Sequence, residues 1–224
     1  LLAMSLSLGA LAAGLQAWSH LRTSQQTVQA LEQMHAQQRE VQRLLERISL
    51  TAGATRVTTT AQGTTHWVSK SAPINGVEGV SADTLTWVVP REIDPRDCQG
   101  NQASSLDVIA HQFKLSSKQE LSCKDAQRTG TLFQALAERV EDMQVLYVQR
   151  SGTLADPRWQ WRTATQVTDW PRVQGAEVCL RLASPLKIFQ GSDSQAGCQG
   201  ETVPRDGRFR KLWRGFLRFA HATP

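Results

Sequence analysis

The chain has 224 residues and a net charge of +5. With the first fifty or so committed to one helix, about 170 residues remain, enough for a single head domain with its own core. The charge is local: of 25 Lys and Arg and 20 Asp and Glu, six bases and one acid fall between Arg205 and Arg218. The rest of the chain therefore carries nineteen of each, and a generally basic surface is excluded.

Leu1 to Ser19 contains no charged residue and passes without a break into a glutamine-rich, helix-favouring stretch. Nineteen helical residues span roughly 28 Å, close to the hydrocarbon thickness of a bilayer. Trp18 and His20 stand where an interfacial belt would begin. After Gly14 the next glycine is Gly53, so the composition predicts one helix of roughly 75 Å over residues 1–52. Its first part, 1–19, is expected to be the transmembrane or fibre-core half, and 20–52 the amphipathic half. In the second half Val41, Leu44, Leu45 and Ile48 share one stripe, whereas Gln33 to Gln38 is too polar for a strong seam. A signal peptide is a competing reading of Ala10-Leu11-Ala12, but it lacks a basic n-region and has no need of a helical continuation. A plain membrane anchor with a linker helix is another, and sustained coiled-coil heptads are missing.

Residues 53–224 form the expected head. Thr51 to Thr65 resembles a loop with one weak strand, and Pro73-Ile74-Asn75-Gly76 a turn. Short β-prone runs follow at Thr65–Ser69, Leu85–Val89, Leu106–Phe113, Met143–Gln149, Trp159–Arg162 and Glu177–Leu182. Leu132, Phe133, Leu136, Ala137 and Val140 predict one short helix among them. No strand–helix alternation is visible, so the fold class is α+β: a long N-terminal helix packed on an antiparallel, disulfide-bonded head. The four cysteines, Cys98, Cys123, Cys179 and Cys198, form no CxxC pair and have no histidine at zinc-site spacing. Behind a membrane-targeting segment they predict two disulfides in an oxidising compartment. Three connectivities are open. Sequential pairing, Cys98–Cys123 and Cys179–Cys198, is expected because each pair brackets a turn-rich segment, and such loops contribute roughly 3 kcal/mol each.

Catalytic chemistry is not visible. The five histidines are scattered, and zinc-helix, nucleophile-elbow, phosphate-loop and dinucleotide motifs are all missing. Asp94, Asp97 and Asp193 occupy loops and are expected to be solvated turn carboxylates rather than a calcium site. Glu141 and Asp142 open a strand and are expected on opposite faces. Trp159 and Trp161 share a strand face, where core or edge packing is the expectation over a binding platform. No enzyme activity, metal or cofactor is expected.

Several segments carry a resemblance to a known family. SADTLTWVVP, followed by Asp97-Cys98-Gln99-Gly100, is similar to the "SDTLTV…DCxG" segment of PilW-type minor pilins of the type IV pilus. Arg139 to Gly152, RVEDMQVLYVQRSG, resembles their "VEDMQVxYG" segment, although the usual glycine after the tyrosine is Val148. Ala164 to Ser184 resembles a strand pair of that family, and DGRFRKLW resembles its "DGRLRR" close. The resemblance covers essentially the whole chain. It implies a pilin-like fold and a structural minor pilin that helps to start pilus assembly, at the tip. The implied partners are other minor pilins and the major pilin, met through the N-terminal helix, with a tip adhesin as a further candidate. The implied route runs from the inner membrane, with the head in the periplasm, to the extracellular fimbrium. The family's leader peptide, its early glutamate and N-methylation would all concern residues before Leu1.

Two other functions are open. One is a DNA-binding minor pilin used in uptake, because Arg208, Arg210, Lys211 and Arg214 resemble the tail of FimT-type pilins and could neutralise phosphates. Docking of that tail on an acidic neighbour subunit explains it as well and is preferred to DNA. The other is a J-type pseudopilin of a type II secretion system.

Overall fold

The computed structural model describes residues 2–53, 57–60, 63–66, 74–79, 82–91, 94–102, 108–153, 155–188, 194–203 and 206–219, with backbone alone at 2–10, 12, 57–60 and 63–66. Helix α1 runs from Leu2 to Thr51. Its length follows from an uninterrupted run of good helix formers, and its polar side chains close onto its own backbone. The hydroxyls of Thr23 and Thr27 each donate to the carbonyl four residues back, at 2.9 Å. The helix stops where Gly53 takes a left-handed conformation, φ 69°, as glycine can do at little cost.

The second half of α1 buries Ala30, Met34, Val41, Leu45, Ile48 and Ala52, a stripe repeating every three, four or seven residues. The seam is longer than the sequence suggests. Met34 lies in the polar middle and is nonetheless 2% exposed, because one thioether side chain is enough to bridge that turn.

Two antiparallel sheets cover this stripe, and two short hairpins complete the described strands. The first hairpin pairs β1 (Val57–Thr60) with β2 (Gly63–His66). A five-stranded sheet has the sequential order β3 (Ile74–Val77), β4 (Thr84–Pro90), β5 (Val108–Leu115), β6 (Glu120–Asp125) and β7 (Gln134–Glu138). A four-stranded sheet is built from β8 (Val140–Gly152), β9 (Pro157–Arg162), β10 (Val173–Ala183) and β13 (Arg210–Arg218), in the order β13-β10-β8-β9. The second hairpin, β11 (Gln195–Ala196) with β12 (Thr202–Val203), lies between β10 and β13 in sequence. Helix α1 touches β4, β7, β10 and β13, so both sheets share its stripe. In β10 the alternate residues Val178, Leu180 and Leu182 point into the common core, as period-two burial requires.

Asp83, just before β4, joins the sheets directly. Its N–H donates to the Met143 carbonyl at 2.9 Å, and its buried carboxylate accepts the Val145 N–H at 2.7 Å and the Gly79 N–H at 3.1 Å. Two of the sequence segments singled out above, SADTLTW and EDMQV, are therefore held against each other. Burial raises the Asp83 pKa, against the pull of those two N–H donors.

Two expectations fail here. Residues 132–140 are not helical: Gln134–Glu138 is strand β7, and Arg139 at φ 58° turns the chain into β8. The apolar spacing suits a helix, but pairing with β6 across a bulge at Leu121/Ser122 overrides that local preference. Likewise Ile74, Asn75 and Gly76 belong to β3 rather than to a turn. Gly76 is needed for another reason, because a Cβ there would collide with the hydroxyl of the buried Tyr147. Pro73, Trp67–Ser69, Leu106 and Asp193 lie outside the described residues.

Candidate functional site

Among the described residues, the first half of α1 has no cover. Residues 13–26 are all exposed, and Leu11, Leu15, Trp18, Leu21 and Val28 each expose more than half of their surface. Leu11, Leu15 and Trp18 repeat at i, i+4 and i+7 and so form one stripe. At about 100° per residue, this stripe is turned by roughly a third of a turn or more from the buried seam. It is therefore not an extension of the surface that the head covers. Around Gly14 nothing lies within 4 Å of an added Cβ, which leaves room for another backbone to approach closely. A transmembrane half at 1–19 was the expectation. Among the described residues, no helix is long and apolar enough to cross a membrane. The side chains of residues 1–10 and 12, most of that expected half, lie outside the described ones.

The basic strand β13 is built differently from an exposed ridge. Its inward positions Trp213 and Leu217 are buried, and Arg210, Arg214 and Arg218 alternate on the other side. At the β11–β12 end that other side is not open. The Arg210 side chain is only 5% exposed: its Nε and Nη2 reach Glu141 at 2.6 and 3.0 Å, and its two Nη atoms reach Asp206 at 2.8 and 2.9 Å. Hydrogen bonds from Arg210 hold the Asp206 carboxyl down to about 2. Arg208 donates to the Ser184 carbonyl at 2.9 Å, and Arg214 to Glu177 at 3.2 Å and the Cys198 carbonyl at 2.6 Å. Lys211 is half-buried. Three of the four basic side chains singled out in the sequence thus have partners within the fold, although Arg214 keeps 46% of its side chain exposed.

The acids that receive them also differ from expectation. Arg181 pairs with Glu141 at 3.4 Å, Asp142 at 3.7 Å and Glu201 at 2.6 Å. A register shift between Arg181 and Leu182 places Glu141 in a bulge, so both strand-opening acids reach one guanidinium instead of facing apart. Asp97 is not solvated either: it is 2% exposed and accepts the N–H groups of Gln99 and Asn101 at 2.9 and 2.8 Å. Asp94 pairs with Arg47 of α1 at 3.6 Å.

Disulfides join Cys98 to Cys123 and Cys179 to Cys198, with Cα separations of 6.3 and 5.8 Å. The turns that carry Cys98 and Cys198 are alike. Each reads Cys-Gln-Gly with its glycine at φ 83°, and each is closed by the residue before the cysteine, whose N–H donates to the carbonyl of the residue after the glycine, at 3.0 and 2.7 Å. The recurrence of Cys-Gln-Gly at 98–100 and 198–200 was the available signal for this repeated clip. Trp159 and Trp161 are more than half exposed on edge strand β9 rather than packed, and the Trp161 ring meets Phe216 edge to face at 5.9 Å. Among the described residues no group of His, Cys, Asp and Glu could hold a metal ion.

No protein-family model and no curated protein matches the chain. Among solved structures it is similar to a type IV-like pilin from Thermus thermophilus, with a TM-score of 0.49 and 12% identity over 88% of this chain and 98% of that one. The fold defines the class: an α+β protein in which half of one long helix is clasped by an antiparallel, disulfide-clipped head and the other half projects.

Proposed function

We propose that this chain is a structural subunit of a pilin-like filament, a minor pilin of the PilW type that takes part in starting assembly, at or near the tip. The observation that carries this reading is the projecting half of α1, with Leu11, Leu15, Trp18, Leu21 and Val28 exposed on a helix with an open position at Gly14. Leaving such side chains in water costs roughly 1.5–3 kcal/mol each relative to burial, which favours packing against helices of neighbouring subunits. Other minor pilins and the major pilin are the proposed partners, and filament association the proposed location.

The two disulfides suit life outside the cytosol. The internal engagement of Arg208, Arg210 and Arg214 favours a structural role for the basic tail over a DNA contact.

The test is a Leu11→Arg, Leu15→Arg variant expressed in the source organism. It is expected to keep the wild-type melting temperature of the head and to disappear from filaments sheared off the cell surface. Retention in sheared filaments at the wild-type level would sink the reading. Wild-type chain that never reaches the sheared fraction but co-purifies with periplasmic secretion components would favour the J-type pseudopilin instead.

A further inference from the structure

Strand β9 is the last strand of the four-stranded sheet, and among the described residues nothing pairs with its far edge. It runs in unbroken register along β8, from Gly152↔Pro157 to Tyr147↔Arg162. Every second residue therefore turns its N–H and C=O away from β8, and Pro157 at the start has no N–H to offer. The two faces of this edge differ in chemistry. One presents Trp159 and Trp161, 55% and 54% exposed, with Phe216 against Trp161. The other presents Arg158, Gln160 and Arg162.

The arginine face is undersupplied with acceptors. Arg162 Nε is buried without a hydrogen-bond partner among the described residues, and its Nη2 reaches only the neutral Gln160 Oε1, at 2.5 Å. Arg158 has Asp156 at 3.5 Å, a pair about three-quarters exposed at both ends and worth little. Natural edge strands are commonly shielded by charge on the exposed side or by a covering loop. Here two arginines of β9 mark one face, and the other carries two open indoles, with Arg150 of β8 directly across from Trp159.

We propose that the free edge of β9 is a docking strand for an extended segment of a partner protein in which apolar and acidic side chains alternate. Main-chain hydrogen bonds along the edge supply affinity, and the two faces supply selectivity: apolar side chains lie beside Trp159 and Trp161, and carboxylates meet Arg158 and Arg162. A second copy of this chain is a poor occupant. Antiparallel self-pairing centred on Gln160 sets Arg158 opposite Arg162 twice, and like charges directly opposite are destabilising. Single-stranded nucleic acid could use the same rings and cations without adding a strand, so the backbone readout separates the two.

The probe is a short synthetic peptide of alternating glutamate and valine, titrated into the full chain with indole fluorescence and amide hydrogen exchange as readouts. Binding is expected, with new protection confined to amides of β9. Arg158→Glu combined with Arg162→Glu should weaken it by about tenfold or more, and Arg158→Glu alone, at a highly exposed position, by less. The reversed variant should in turn prefer a peptide of alternating lysine and valine. Four outcomes overturn the proposal: no binding, binding indifferent to charge reversal, self-association through β9, or indole quenching by oligothymidylate with no peptide-induced amide protection.

Discussion

His111 on β5 is fully buried, with Trp87 and Asp125 as its cross-strand neighbours and neither ring nitrogen hydrogen-bonded among the described residues. Burial drives its pKa from 6.5 down to about 4, against the pull of Asp94, Asp125 and Asp97. A depressed histidine opposes folding in acid. The unfolded chain takes up its proton below pH 6.5 and the folded chain only near pH 4, so stability falls across that window. The loss between pH 7 and pH 5 is expected to be about 2 kcal/mol. Urea unfolding at the two pH values, with His111→Leu as the control that flattens the difference, measures it. Arg210 gives a second residue-scale expectation. Arg210→Gln removes the bidentate partner of Glu141 and leaves it with Arg181 alone, which should cost about 2–4 kcal/mol in urea unfolding. Asp206 changes with it. Its carboxyl is depressed in the folded chain, so it contributes stability above pH 3.8 that is lost as pH falls toward 2. In the variant that acid shoulder should shrink.

At the scale of the element, α1 is two different helices in one. Leu45 is 2% exposed and Leu15 68% exposed, although both are leucines on the same continuous helix. Leu45→Ala is expected to cost 2–5 kcal/mol in thermal or urea unfolding. Leu15→Ala should stay within about 0.5 kcal/mol. The helix and the seam at 41, 45 and 48 were legible because a 3.6-residue period is written in the spacing of the apolar residues. Strand β6 was not, since Glu-Leu-Ser-Cys-Lys-Asp has only two alternating apolar residues and no β-branched one, and its place is set by β5 and β7 on either side. The basic tail was legible as a charge cluster but not as a buried one. What buries Arg210 is Glu141, 69 residues earlier, displaced by a one-residue bulge that no periodicity announces.

Over the whole molecule the chain closes on itself. α1 lies against β13, and Trp213 and Leu217 share one core with Met34, Val41 and Leu45. Loss of β13 should therefore do more than expose one side of β10. Deleting residues 210–218 is expected to abolish the cooperative thermal transition followed by circular dichroism, whereas a merely peripheral strand would leave a weaker but intact one.

The same closure sets an order in time. Helix α1 is made before the head, and the strand that helps cover its seam is the last strand described. Some 170 residues separate Val41 from Trp213, and at 5–20 residues per second they take on the order of ten to thirty seconds to synthesise. Until then β4, β7 and β10 can cover the seam only in part, and the stripe at Leu11, Leu15 and Trp18 stays bare. Contacts so distant along the chain form slowly, and exposed apolar surface invites aggregation meanwhile. A nascent chain of this design is safest when its first half is held by something other than itself, from the moment it appears until β13 arrives.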